Sequence, residues 1–152
     1  MKLHRIALLF SLLLCLAASD VRAQVLKKGE VRINQRTAGT QWLPDVATAA
    51  DGRFVVVWQE GGETADPSKP VFVMARLFDA SGRPRSGDIR VARHVRSSFP
   101  RTAVAMAPDG RFVVVWGGGR QNPGLVFGRR YAADGSPLGP RFPLARNSDD
   151  QE

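Results

Sequence analysis

The sequence predicts an all-β fold made of two copies of one four-stranded antiparallel unit. Three observations lead there. The octapeptide Asp-Gly-Arg-Phe-Val-Val-Val-Trp occurs twice without a change, at 51–58 and at 109–116. The stretches flanking the two copies align with each other over most of the remaining chain. No segment after the first 23 residues has the 3.6-residue apolar periodicity of a helix.

Within the octapeptide, Asp-Gly is a hairpin signal: Gly takes the positive φ of a tight turn and Asp tolerates it. The run that follows is β-branched and aromatic, which suits a pleated strand. Phe54, Val56 and Trp58 fall on one face, Val55 and Val57 on the other. Both faces are apolar, so the strand is expected to be covered on both sides. A helix is the competing assignment; the shortness of the run and three consecutive valines argue against it.

The repeat is wider than the octapeptide. Residues 29–58 align without a gap on 87–116, an offset of 58; after the tryptophan the offset drops to 53 because the next loop is shorter in the second copy. Gly29–Ile33 then matches Gly87–Val91, Arg76 matches Arg129, Gly82 matches Gly135 and Pro84 matches Pro137. A period of this size is the scale of one multi-stranded unit. Each unit divides into four strands. The first is Val46–Ala49, or Thr102–Ala105 in the second unit, and the second is the valine run. The third is Val71–Phe78 or Leu125–Tyr131, and the fourth Ile89–Ala92 or Arg141–Leu144. An additional strand of the fourth type is expected near Val31. The loops Gln59–Pro70 and Gly117–Pro123 read as irregular and Gly-rich. Repeat 1 covers about 35–93 and repeat 2 about 94–146, inside a β-repeat domain of 24–152.

The first 23 residues read as a secretory signal peptide. Lys2 and Arg5 precede the apolar run Ile6–Ala18, and Val21-Arg22-Ala23 is a small-residue cleavage site that leaves Gln24 first. A retained anchor and a lipoprotein acylated at Cys15 are the alternatives. The run is short for a membrane span of about 20 residues, and Leu14 is bulky for a lipobox. The expected location is secreted or periplasmic. Cys15 is the only cysteine, so the mature chain has none and relies on packing rather than disulfides. The formal charge is +8, and +6 once Lys2, Arg5, Asp20 and Arg22 are gone. The basic residues are scattered, with no run longer than two, so a solvated basic surface is favoured over a nucleic-acid partner.

The pattern of Pro44–Ala47, Asp51–Trp58, Arg76–Pro84 and Gly87–Val91 resembles a tandem repeat of large exported bacterial proteins, whose units look like blades of a β-propeller. The second unit repeats most of it, with Thr102 in place of Pro44 and Arg130–Gly135 as a looser version of the Arg76–Gly82 part. The resemblance implies two propeller-like blades. A propeller takes about four or more blades to close, so the chain is expected to be an open, partial propeller, as if taken from a longer array. A small two-sheet sandwich is the alternative.

Little in the sequence points to catalysis. The mature chain has one histidine, His94, and no cysteine, which excludes a His/Cys zinc site or a cysteine nucleophile within it. A Gly-x-Ser-x-Gly elbow is absent. Calcium is a possibility to weigh in Asp-Gly loops, but neither Asp51 nor Asp109 has a second carboxylate beside it; Glu60, Glu63 and Asp66 in the long loop form the better set. Arg76 and Arg129 read as structural arginines, their stems on an aromatic such as Trp58 or Trp116, rather than as a ligand clamp. The two tryptophans read as core rather than sugar platforms. No catalytic, cofactor-binding or metal-binding residue is therefore assigned, and no cofactor. The leading expectation is an exported, non-catalytic repeat module acting as scaffold or interaction surface, its partners being protein or further repeats of the same kind. Rival readings are a piece of a propeller enzyme, such as a hydrolase or glycan-processing protein, and a calcium-dependent adhesin.

Overall fold

A computed structural model describes residues 30–61, 70–95, 102–117 and 125–145; the side chains of His94, Val95 and Ala145 and the expected signal peptide lie outside the described part. Eight strands form. β1 is Gln41–Thr48, β2 Phe54–Glu60, β3 Pro70–Phe78 and β4 Ile89–Val95; β5 is Thr102–Met106, β6 Phe112–Gly117, β7 Val126–Tyr131 and β8 Phe142–Ala145. They make two open antiparallel sheets in sequence order, sheet 1 from β1–β4 and sheet 2 from β5–β8. The sequence repeat is also a repeat of register. Val57 faces Ala75 across β2 and β3 as Val115 faces Gly128 across β6 and β7, and Phe54 faces Phe78 as Phe112 faces Tyr131.

The Asp-Gly turns close both first hairpins with a three-residue loop. Ala49 N–H donates to the Arg53 carbonyl at 2.8 Å and Ala107 N–H to the Arg111 carbonyl at 2.7 Å. Only the glycines take positive φ, +82° at Gly52 and +88° at Gly110. The aspartates do a different job from the one expected of them. Asp51 and Asp109 accept from the N–H of Arg53 and Arg111, at 3.1 and 3.0 Å, and so hold the turn from the side chain.

Three expectations need correction. The loop expected to start at Gln59 starts later: Gln59 and Glu60 belong to β2 and pair with Val73 and Phe72. β1 begins five residues earlier than the apolar pattern indicates; Leu43 takes a left-handed φ of +49° beside Pro44, and the register slips between Trp42 and Asp45. A bulge here accommodates a proline that cannot donate to the ladder. Residues 30–40 contain no strand, so the additional strand expected near Val31 does not form.

The two sheets meet face to face. Val55, Val57, Val73, Ala75, Leu77 and Val91 of sheet 1 share a core with Phe112, Val114, Trp116, Phe127 and Tyr131 of sheet 2. β5 is the strand of sheet 2 that lies against β1 and β2. The opposite face of sheet 1, with Val56, Trp58 and Phe78, forms a second cluster to which Ile33 is added. Stacked rings tie the hairpins together: Phe54 on Phe78 and Phe112 on Tyr131, each with centroids 4.9 Å apart.

Candidate functional site

The alternation along the valine run places one side of each sheet against a neighbour. In sheet 1 both sides are covered, and Val55 to Trp58 are all buried. In sheet 2 the equivalents alternate: Phe112, Val114 and Trp116 are buried, while Val113 and Val115 are only half-buried. These two valines are the counterparts of Val55 and Val57, which are fully covered by sheet 2. The outer face of sheet 2 is therefore the same kind of surface without a covering sheet among the described residues. It carries Ala103 and Ala105 of β5, the two valines of β6, Gly128 and Arg130 of β7, and Phe142 and Leu144 of β8. Leu144 is 52% exposed, and Leu138 beside this face is 51% exposed.

One end of this face opens into a groove of about 480 Å³ between Ala105, Arg111, Val113, Arg130, Tyr131 and Leu138. Arg111 is paired with Asp109, Nε to Oδ2 at 2.7 Å. The Arg130 guanidinium lies over the Phe142 ring, 5.6 Å from its centroid, and has no ion pair among the described residues. Burial pushes the Tyr131 phenol above its ordinary pKa, against the pull of the nearby Arg129. Its buried hydroxyl makes no hydrogen bond of good geometry among the described residues, with Arg129 as its nearest polar influence.

The covered counterpart of this face shows how such a surface is used. Asp45 Oδ2 accepts from Val104 N–H across the sheets at 2.9 Å, while its Oδ1 accepts from Val46 N–H at 2.9 Å. Gln59, fully buried, donates through Nε2 to Thr102 Oγ1 at 3.0 Å and accepts through Oε1 from Trp42 Nε1 at 3.0 Å. The turn Ala132–Gly135 of sheet 2 settles on Leu77 and Ile89. A Cβ at Gly135 would stand 2.6 Å from Ile89 Cδ1 and 3.1 Å from Leu77 Cδ1. Glycine is required there twice over, by φ of +89° and by this approach.

The residues singled out in the sequence fall elsewhere. Trp58 and Trp116 are buried, 3% and 2% exposed. Arg76 and Arg129 are structural, but their rings are Phe78 and Tyr131, 5.5 and 5.7 Å away, rather than the tryptophans. The cause is register, since Trp58 sits opposite Met74. Arg76 is the more committed of the two: it donates to the Ser86 and Ile33 carbonyls, at 3.1 and 2.6 Å. Arg129 donates to the Gly139 carbonyl at 3.1 Å. His94 lies on β4 opposite Val71. Glu60 is buried and turned to Arg36, Nη1 to Oε1 at 3.4 Å; Glu63 and Asp66 are outside the described residues. Among the described residues no three His, Cys, Asp or Glu side chains gather to hold a metal ion, and no helix is long and apolar enough to cross a membrane.

A second cavity, of about 430 Å³, lies on the other face of sheet 1 between Gln35, Arg36, Glu60, Phe72, Asp88 and Arg90. Asp88 and Gln35 hold each other there through backbone N–H groups, at 2.9 and 3.1 Å. Sequence reading missed Gln59, Asp45 and Arg130. The signal that could have found them is the set of positions where two otherwise matching repeats differ: Asp45 against Ala103, Gln59 against Gly117 and Leu77 against Arg130. No protein-family model, curated protein or solved structure matches this chain.

Proposed function

We propose that the chain is an exported, non-catalytic repeat module that works as a scaffold by stacking sheet on sheet, its two sheets being two blades of an open β-propeller-type array. One observation carries this reading. Sheet 1 buries the Val55 and Val57 face under sheet 2, and sheet 2 presents the same face, half-buried at Val113 and Val115, with no further sheet over it among the described residues. An apolar sheet face of this kind is an interaction surface on a soluble protein. Export rests on Lys2 and Arg5, the apolar run Ile6–Ala18 and Val21-Arg22-Ala23, and amino-terminal sequencing of the processed protein should begin at Gln24.

The stacking itself is tested by fusing a further copy of residues 37–95, which carry sheet 1 without the segment that precedes it, in frame after the second unit. Nearest-neighbour interfaces add stability in repeat proteins, so the melting temperature of the two original sheets should rise. An unchanged melting temperature with a folded third unit refutes stacking through this face.

A further inference from the structure

We infer that the partner for the outer face of sheet 2 is a second copy of this chain, docked head to tail through the Phe54, Val56 and Trp58 face of its sheet 1. This rests on the stacking reading above and names its partner. The interface inside the molecule supplies the template. There the valine face of sheet 1 meets the Phe112, Val114 and Trp116 face of sheet 2, and sheet 1 carries the same Phe-Val-Trp face on its other side.

The differences between the two valine faces match the differences between the two Phe-Val-Trp faces. Asp45 serves the Val104 N–H across the internal interface. The counterpart of Val104 in sheet 1 is Val46, whose N–H is already served by its own Asp45. A neighbour facing Val46 needs no carboxylate, and sheet 2 has Ala103 at that place. Gln59 donates to Thr102 internally. The counterpart of Thr102 is Pro44, with no polar side-chain atom, and the counterpart of Gln59 is Gly117. Two buried polar groups that would go unanswered are thus absent on both sides at once.

The third difference concerns charge. Internally, Leu77 lies under the turn that begins at Ala132. On the outer face the place of Leu77 is taken by Arg130, and in the first unit the place of Ala132 is taken by Asp79. Asp79 uses Oδ1 for its own turn, accepting from Ser81 and Arg83 at 2.7–2.9 Å, which leaves Oδ2 for an incoming guanidinium. Docking therefore exchanges a leucine packed beneath a turn without a carboxylate at its start for an arginine beneath a turn that begins with Asp79. Such a contact is heterologous, so repeated addition ends in a ring or a fibre.

Residues 31–36 lie against the Val56 and Trp58 face of sheet 1, which is buried in the single chain, and have to leave it for a copy to dock. Val31 is the counterpart of Ile89, and its Cγ2 approaches Gly82 as Ile89 approaches Gly135, 3.5 Å from the Cβ position. The segment holds, on sheet 1, the place that β4 holds on sheet 2, and β8 of an incoming copy has to take it over. Ile33, the Arg76 bond to its carbonyl, the paired Gln35–Asp88 bonds and the Arg36–Glu60 ion pair keep it there.

Sedimentation of the full chain tests the inference, with melts to confirm that each variant folds. The chain should associate in a concentration-dependent and salt-sensitive manner. Arg130→Leu should weaken association about thirtyfold or more, the effect of leaving a charge unpaired in an interface. Converting the first turn to the form of the second, Asp79→Ala with Ser81→Asp, should weaken it similarly. All three substitutions together give both surfaces the residues found at the internal interface, leucine beneath an Ala-initiated turn, and should restore association without its salt sensitivity. Ile33→Ser should strengthen association by loosening the 31–36 segment. A chain that stays monomeric, or a triple variant no better than its components, overturns the inference. If the fused third unit still raises the melting temperature in that case, only the choice of partner fails; if it does not, the stacking reading fails with it.

Discussion

Replacing Gln59 by leucine should cost about 2–3 kcal/mol, although the sequence marks this residue as the start of a surface loop. Its side chain is fully buried and makes two hydrogen bonds, to Thr102 of sheet 2 and from Trp42 of its own sheet, both 3.0 Å. Two such bonds contribute about 1 kcal/mol each, and the buried Thr102 hydroxyl left without its donor adds about 1 kcal/mol or more. The apolar surface gained by leucine offsets about 1 kcal/mol of this. Thr102→Val alone should cost about 1–2 kcal/mol by stranding the Gln59 amide. The double variant removes both ends of the same bond, so its cost should fall short of the sum by about 1 kcal/mol. Urea unfolding of the four proteins, with unchanged m-values, measures the cycle. Additive costs, or a Gln59→Leu loss below about 0.5 kcal/mol, would show that this amide does not couple the sheets.

Trp58→Ala and Trp116→Ala should each cost about 3–5 kcal/mol, as large truncations in a core do; losses below about 1 kcal/mol in denaturant melts would move these rings to the surface. Gly135→Ala should cost about 1–3 kcal/mol, because φ is +89° and the added Cβ would stand 2.6 Å from Ile89, whereas Gly82→Ala, with 3.5 Å to its nearest neighbour, Val31, should cost less in the same melt. The Ser81 hydroxyl and Arg83 N–H hold the Asp79 carboxyl below its ordinary pKa, and the Ser136 hydroxyl and N–H do the same for Asp134. A depressed carboxyl contributes stability that is present above its unfolded value of about 3.9. That contribution is lost as pH falls through the folded value. Melting temperatures should therefore drop below about pH 4, and less steeply in Asp134→Asn.

Much of the architecture was legible from local pattern. The two octapeptides placed β2 and β6, and alternation of Phe54, Val56 and Trp58 with Val55 and Val57 announced two buried faces. Asp-Gly placed the hairpins, since the φ that Gly52 and Gly110 adopt is a property of the residue itself. The glycine-bearing turns and Arg76 with Arg129 followed from the repeat. Sequence alone thus determined strand order and the doubling of the unit, because these depend on interactions between residues near in the chain.

What tertiary structure decided is where the two units are not alike. Val113 and Val115 have the same neighbours in sequence as Val55 and Val57, yet one pair is half-buried and the other fully covered. Gln59 reads as a loop residue until Thr102 comes within hydrogen-bond distance from 43 positions away. Val31 matches a strand residue but forms no strand, since a strand needs a partner to receive its N–H and C=O groups. Identical octapeptides specify identical strands; burial, polar satisfaction and the free face depend on which surface stands opposite, and that is a property of the assembled sheets.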